Sequence, residues 1–523
     1  MLSSPTASGR SSKSAKARAI PGRLGILARL AAHGLRRRHG STESERERAW
    51  QAIAGLYRDA RGITMKVGQV LLGDRPGAEV VRSEPLPLAA IRPALEAELG
   101  SRLSHSFRRF DESRAAASLG QVHAAELLDG SRVAVKVRYP GIERAVRREL
   151  RLAGLLPGVG PLRRFGFDLD RYRRLLAEDL ARELDYRSEA ERQLRFYHQL
   201  AVPGLVVPRP FPSLSRPGLL VQSWEDGEPL SSARGWPRLE RAELARILVR
   251  TLLASLFQLG EVHGDPNPGN YLFRRGENAR PEVVLLDYGC TLELESPRRL
   301  ALLQLLLALR EGGSIDLLAC LGAIGFDLAK LAPLADRLPE ICQALFEPFL
   351  LDRPFDPSRW RLAERLGELL GELRWWFRAA GPADSVFLLR AFQGLAQQLE
   401  ALDVPLAWWP MLTAVVPEET LAEARRLELP TPAGITEPPR LECLARFLRV
   451  VIQDQGEELL ALCLPAVEVA HLEELVPPAV AESLAGRGVR LGELVRRVLA
   501  GGVRPQELIA LEDGTRTYQV WLE

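Results

Sequence analysis

Asp265, Asn270 and Asp287 sit in two short segments, His263-Gly264-Asp265-Pro266-Asn267-Pro268-Gly269-Asn270 and Leu286-Asp287-Tyr288-Gly289, and constrain the fold more than anything else in the sequence. Asp265 and Asn270 are five positions apart, and Asp287 follows seventeen later. Hard divalent cations bind oxygen donors of this kind. Asp-Pro and Pro-Gly-Asn form turns, and Val283-Val284-Leu285-Leu286 is a short apolar run of strand type. A fold that uses all three residues must bring a loop and a strand end to one place. Singly, each segment also reads as an ordinary connector or strand terminus; joint spacing and a third element upstream shift the reading.

That element is Ser131-Arg132-Val133-Ala134-Val135-Lys136-Val137-Arg138, an alternating strand entered through the hairpin-type turn Asp129-Gly130. Alone, Lys136 reads as part of a solvated strand face. Beside the oxygen donors it completes a phosphoryl-transfer set: an amine for the phosphates, an aspartate near the attacking hydroxyl, and an asparagine and second aspartate for Mg²⁺. A lysine ammonium is a point charge on a flexible stem and needs a carboxylate to hold it. On a helix expected over roughly 168–199, Asp185 and Glu189 share one face and Glu183 points elsewhere; Glu189 is the expected partner of Lys136.

Four further segments follow in order within residues 50–290. They are Lys66-Val67-Gly68-Gln69, Ala115-Ala116-Ala117-Ser118-Leu119-Gly120-Gln121-Val122-His123, Lys136-Val137-Arg138-Tyr139-Pro140-Gly141-Ile142, and Glu183-Leu184-Asp185-Tyr186-Arg187-Ser188-Glu189-Ala190. In these the chain resembles the UbiB (AarF) family of atypical protein-kinase-like proteins, which support coenzyme Q and other isoprenoid-lipid metabolism. The resemblance implies an α+β, bilobed protein-kinase-like fold with an N-terminal helical extension, and ATP and Mg²⁺ as cofactors. It implies catalytic roles for Asp265, Lys136 and Glu189, and metal binding by Asn270 and Asp287. Ala115, Ala116, Ala117, Ser118, Gly120 and Gln121, with Lys136, would handle the nucleotide. Lys66, Gly68 and Gln69, facing Glu183 and Asp185, would form a regulatory motif lying where a peptide substrate would otherwise bind.

A Cβ on each alanine of that loop restricts close backbone approach to phosphates, so altered nucleotide handling is expected; an Ala-rich helix start is the other reading. Where the family usually has His-Ala-Asp-Pro-His-Pro-Gly-Asn and Asp-Phe-Gly, this chain has Gly264, Asn267 and Tyr288. No metal ligand is lost, and a looser loop or an altered neighbouring hydrogen bond is the expectation. The expected activity is ATP hydrolysis, or transfer to a small or lipid-associated acceptor in support of isoprenoid-quinone metabolism. A nucleotide-dependent lipid-binding scaffold without useful turnover stays open. So does a small-molecule phosphotransferase, against which Lys66 to Gln69 and the alanine loop speak.

A chain of 523 residues exceeds one ordinary core. The expected division is a basic flexible tail over 1–42, a helical extension over 43–110, lobes over 111–225 and 226–428, a Pro-rich linker over 429–440, and a small C-terminal α+β module over 441–523. In the larger lobe, one helix should run from Ser296-Pro297 to Gly312-Gly313 and a longer one from Asp356-Pro357 to Gly381-Pro382. The module should contain hairpins turning at Asp454-Gln455-Gly456 and Asp513-Gly514, with two helical stretches between them. It carries no catalytic cluster and lies outside the resemblance; docking a protein partner, dimerising, or packing on the larger lobe are the roles open to it.

Residues 1–42 hold nine Lys or Arg and no acid, so the remainder is net acidic. With Ile26, Leu27, Leu30 and Leu35 among them, these residues suit peripheral contact with an anionic lipid surface, a disordered tail, or a transit peptide, and contact with isoprenoid lipid is what the resemblance implies. The most apolar run, Leu300 to Leu309, is half the length of a membrane span and contains Gln304. A cytoplasmic protein without a transmembrane segment, peripheral at a membrane at most, is expected, with no nucleic-acid partner. Five cysteines without a Cys-x-x-Cys pair suit a reducing compartment.

Overall fold

The computed structural model describes residues 85–116, 119–143, 174, 178, 180–371, 373–430, 445, 447–476 and 478–523. The basic tail, Lys66, Gly68 and Gln69, Ala117 and Ser118, and most of the linker lie outside these residues.

Strict alternation builds the first layer. Strands β1 (Phe107–Ala116), β2 (Gly120–Leu127), β3 (Arg132–Arg138) and β5 (Leu219–Ser223) form an antiparallel sheet in that order. With a period of two, Val133, Val135 and Val137 share one face and are buried with Ile91 and Leu95 of helix α1 (Leu88–Leu99). Each such side chain contributes about 1.5–3 kcal/mol by burial. The same alternation sends Lys136 to the other face, opposite Leu220. There Leu220 clusters with Tyr186 and Ala190 of helix α2 (Tyr186–Gln199).

The second layer carries the two oxygen-donor segments. β6 (Glu261–His263) pairs antiparallel with β9 (Thr291–Glu293), so His263 stands opposite Thr291. Alongside, β4 (Leu205–Val206) runs parallel to β8 (Pro281–Leu285), which pairs antiparallel with β7 (Tyr271–Arg275). Below lies a helical lobe with helices α3 (Arg238–Ala254), α4 (Ser296–Glu311) and α5 (Ser385–Leu402). Its core includes Leu244, Leu253, Leu303, Leu305, Leu399 and Leu412. Trp360, Trp376 and Trp408 belong to that core, and the Trp360 indole donates to the Ala344 carbonyl at 3.0 Å.

Helix α4 begins and ends where its Ser-Pro and Gly-Gly signals place it, with Gly312 at φ 70° as its cap. The longer helix expected after Asp356-Pro357 is broken into a turn, Pro357–Arg359, and two helices, Leu362–Leu370 and Leu373–Ala380. Arg361 at φ 42° takes left-handed backbone and Gly371 at φ 53° also has a positive φ, which interrupts a right-handed helix. Among the described residues no helix is long and apolar enough to cross a membrane.

The C-terminal module has its own core, including Leu448, Val469, Leu494, Val498, Ile509 and Val520. Hairpin β10 (Phe447–Asp454) to β11 (Glu457–Pro465) turns through Gln455 at φ 52° and Gly456 at φ 86°, the two positive values a tight hairpin turn requires. Helices α6 (Pro478–Gly486) and α7 (Leu491–Ala500) follow, then hairpin β12 (Gln506–Asp513) to β13 (Arg516–Leu522). The hairpins join through β10 and β13, which leaves β11 and β12 at the two edges.

Candidate active site

Lys136 is the meeting point. Its Nζ donates to Glu189 Oε1 at 2.8 Å and Oε2 at 3.0 Å, and to Asp287 Oδ2 at 2.8 Å. It also lies 4.9 Å from the centre of the Tyr186 ring, a cation–π distance. Glu189 occupies the first turn of α2, where negative charge suits the helix dipole, and its side chain is 1% exposed. Burial pushes its pKa up, and the lysine opposes that shift. Burial also works against ionised Lys136 and Asp287. Their mutual attraction prevails: the ammonium pKa lies well above the usual value and the Asp287 carboxyl well below the carboxylate range.

The loop after Asp287 is held from several sides. The Gly289 N–H donates to Asp287 Oδ1 at 2.8 Å, and Arg192 of α2 donates to the carbonyls of Tyr288 and Gly289 at 2.9 and 3.2 Å. A Cβ on Gly289 would stand 3.1 Å from Asp287 Oδ1 and 3.6 Å from Glu183 and Glu189, which explains a glycine in that gap. Tyr288 is fully buried, and its hydroxyl, absent from the more usual phenylalanine, donates to Leu285 O at 3.0 Å. His263 donates from Nε2 to the Asp287 carbonyl at 2.6 Å, and burial holds its pKa below the ordinary value.

Asp265 and Asn270 form a second group. Asn270 Nδ2 donates to Asp265 Oδ2 at 3.1 Å and to the Asp265 carbonyl at 3.2 Å, while Arg390 of α5 donates to Asp265 Oδ1 at 3.1 Å. Gly264 N–H donates to Cys290 O and Leu286 N–H to Asn270 O, each at 2.9 Å, so backbone bonds join the two segments. Asn267 Oδ1 accepts from Gly269 N–H at 2.9 Å, a bond within the loop itself. A Cβ on Gly264 would meet Cys290 Sγ at 3.2 Å, so the sulfur takes up the room that an alanine would need.

Residues 81–317 match the family model described as the ABC1 atypical kinase-like domain. This chain carries an ABC1 atypical kinase-like domain of the UbiB family. Among its relatives is the mitochondrial atypical kinase coq-8 of Caenorhabditis elegans, 29% identical over 282 residues that cover 51% of this chain and 37% of that protein. The mitochondrial atypical kinase COQ8B of Rattus norvegicus is 31% identical over 265 residues, 48% of each chain. The chain thus spans half or less of the length of these curated relatives. Of the solved structures, the Rv3197–erythromycin complex from Mycobacterium tuberculosis is 22% identical, with 75% of this chain and 91% of that chain covered at a TM-score of 0.49.

Several expected site residues of the ABC1 domain sit differently from their sequence reading. The helix over 168–199 is interrupted: Asp185 is the N-cap of α2, accepting from the N–H groups of Arg187 and Ser188 at 3.1 and 3.4 Å. It therefore shares no continuous helix face with Glu189. Glu183 is buried near Gly289, and the segment Lys66 to Gln69 that both acids were expected to face is outside the described residues. Ala115 and Ala116 end β1 instead of belonging to a loop, and Gly120 and Gln121 already begin β2. A Cβ on Gly120 would lie 2.2 Å from Val137 O, so that glycine serves strand packing. Gln121 is wholly buried; its amide accepts from Leu86 N–H at 2.7 Å and donates to Leu86 O at 2.8 Å. Its polar atoms are spent inside the fold, tying the chain before α1 to the sheet and meeting His123 Nε2 at 3.0 Å.

Sequence reasoning missed α5, which lies beyond the matched ABC1 residues. Arg390 holds Asp265, Gln398 donates to Pro266 O at 3.3 Å, and a Cβ on Gly394 would sit 1.9 Å from Pro266 Cβ. A glycine in mid-helix costs about 1 kcal/mol against alanine, so Gly394 was the available sign of a close approach.

Proposed function

We propose that this ABC1 protein binds ATP with Mg²⁺ and hydrolyses it, or transfers its terminal phosphate to a small or lipid-associated acceptor, in support of isoprenoid-quinone metabolism. The observation that carries the reading is the junction of Lys136 with Glu189 and Asp287 at 2.8 Å each. It holds the amine in place and keeps one carboxylate ionised for a cation. In this reading Lys136 binds the inner phosphates, and Asp287 and Asn270 hold Mg²⁺. The Asn270 amide nitrogen is occupied by Asp265, which leaves its oxygen for the metal. Among the described residues no group of three His, Cys, Asp or Glu side chains is placed to hold a metal, so phosphate oxygens and water would complete the shell, as Mg²⁺ commonly requires. When bound, the cation neutralises charge developing on the transferring group. Asp265 takes the proton of the attacking water or hydroxyl on a carboxylate oxygen. The basic residues 1–42 are the segment proposed for peripheral membrane contact.

A second reading, a nucleotide-dependent scaffold with little turnover, is favoured by the engagement of both Asp265 oxygens, with Arg390 and Asn270. Thermal unfolding with ATP, with and without Mg²⁺, tests the first step. Saturation at about 100 times the dissociation constant stabilises by roughly 2.7 kcal/mol. Asp287→Asn should abolish the Mg²⁺-dependent part, and no shift with wild-type protein would defeat both readings. Phosphate release then separates them: turnover lost in Asp265→Asn supports the enzyme, and binding without release supports the scaffold.

A further inference from the structure

The two edges of the C-terminal sheet are built differently. Along β12, Leu508, Ile509 and Leu511 are buried in the module, while the strand exposes Glu507 and Glu512. Charges on an edge discourage pairing with another strand. Along β11 no charge occurs between Leu459 and Leu464, and Leu459, Leu460 and Leu462 are 56%, 39% and 36% exposed. Leu460, Leu462 and Leu464 stand opposite Ile452, Val450 and Leu448 of β10, on the face that carries the module's core. Of the three, Leu464 packs against that core. The apolar row therefore continues past the cover supplied by the helices and ends at an edge that no other strand pairs with among the described residues.

We propose that β11 is a homodimer interface, in which two copies pair antiparallel, edge to edge, and join their four-stranded sheets into one. The sequence of the strand favours a second copy. An antiparallel pairing centred on Ala461 sets Leu460 against the partner's Leu462 on the same face, so these two exposed leucines cover each other, while Leu459 stands opposite the partner's Cys463. Glu457 and Glu458 then lie opposite the partner's Pro465 and the partner's Leu464. A parallel in-register pairing would instead place acid against acid, which is unfavourable. The antiparallel arrangement also brings the acidic end of one strand to the end of the other sheet where Arg449 stands opposite Cys463. Arg449 is 41% exposed, and there its Nε already donates to the Glu523 carboxylate at 2.6 Å.

Sedimentation velocity of the full chain at micromolar concentration tests this without reference to nucleotide chemistry. Wild-type protein should sediment as a dimer. The double variant Leu460→Lys, Leu462→Lys should raise the dissociation constant at least about 100-fold while keeping its circular dichroism and melting curve. Leu239→Lys, at a leucine 84% exposed in the helical lobe, should leave the dimer intact. A monomeric wild type, which would leave the edge for a strand of another protein, overturns the proposal. So does a dimer that survives both lysines.

Discussion

The two halves of the candidate site are secured in different ways. Around Lys136, the ammonium and the Glu189 carboxylate are 15% and 1% exposed, with Asp287 at 30% on the open side, and all three lie inside the matched ABC1 residues. Around Asp265, the carboxylate and its Arg390 partner are 24% and 26% exposed, and the arginine comes from α5, beyond that match. Charges withdrawn from water depend on each other strongly, and partly solvated ones do not. The Lys136 half is therefore fixed by internal pairing, whereas the Asp265 half is positioned by a helix and open to adjustment by it.

That contrast is broken most severely at Glu189. Glu189→Ala leaves Lys136 with one carboxylate fewer in a buried setting and should cost about 3–5 kcal/mol in chemical denaturation. A loss below about 1 kcal/mol would place both halves in one class. Next is Gly394→Ala, whose new Cβ overlaps Pro266. Overpacking costs about 1–3 kcal/mol, and displacement of the attached loop should reduce phosphate release more than nucleotide binding.

Acid should distinguish the halves further. His263 is kept below its ordinary pKa by burial, so the unfolded chain binds a proton that the folded chain resists. Its contribution is complete above about pH 6.5 and is lost as the pH falls below that value, by the sign of proton linkage. His123, lowered by burial in the same sense, adds to the decline. Asp287 behaves as a depressed carboxylate: its contribution is present above about pH 3.9 and disappears only as the pH falls toward its lower folded value. Melting temperature should therefore fall between about pH 6.5 and 5 in wild type, and less in His263→Asn, with the Lys136–Asp287 pair intact throughout. The smallest stability change belongs to Arg390→Met, about 0–1 kcal/mol for a partly exposed pair. Its larger effect should appear in phosphate release, measured beside an Arg390→Lys control.

Much of the first half was legible in the sequence because its cause is local. Alternation in β3 fixes the face of Lys136, and the turn residues around Asp265 and Asp287 mark the ends of short strands. The break at Asp185 was also available, since aspartate is a favoured N-cap residue, a signal that hydrophobic periodicity alone passes over. The packing of Gln121 was not legible for another reason: its amide bonds to the backbone of Leu86, 35 positions away. Arg390 is 125 positions from Asp265, and no local pattern sets it apart from other helical arginines.

The bonds from Gly264 to Cys290, from Leu286 to Asn270 and from His263 to Asp287 make the two oxygen-donor segments one mechanical plate. Bending one without the other would break two backbone hydrogen bonds and the His263 side-chain bond together. Helix α2 is fastened to the same plate by Arg192, whereas β3 reaches it at Lys136, so in the proposed reaction the sheet and the plate would part at the Lys136–Asp287 contact. The Lys136 contacts then act as the latch between the two bodies.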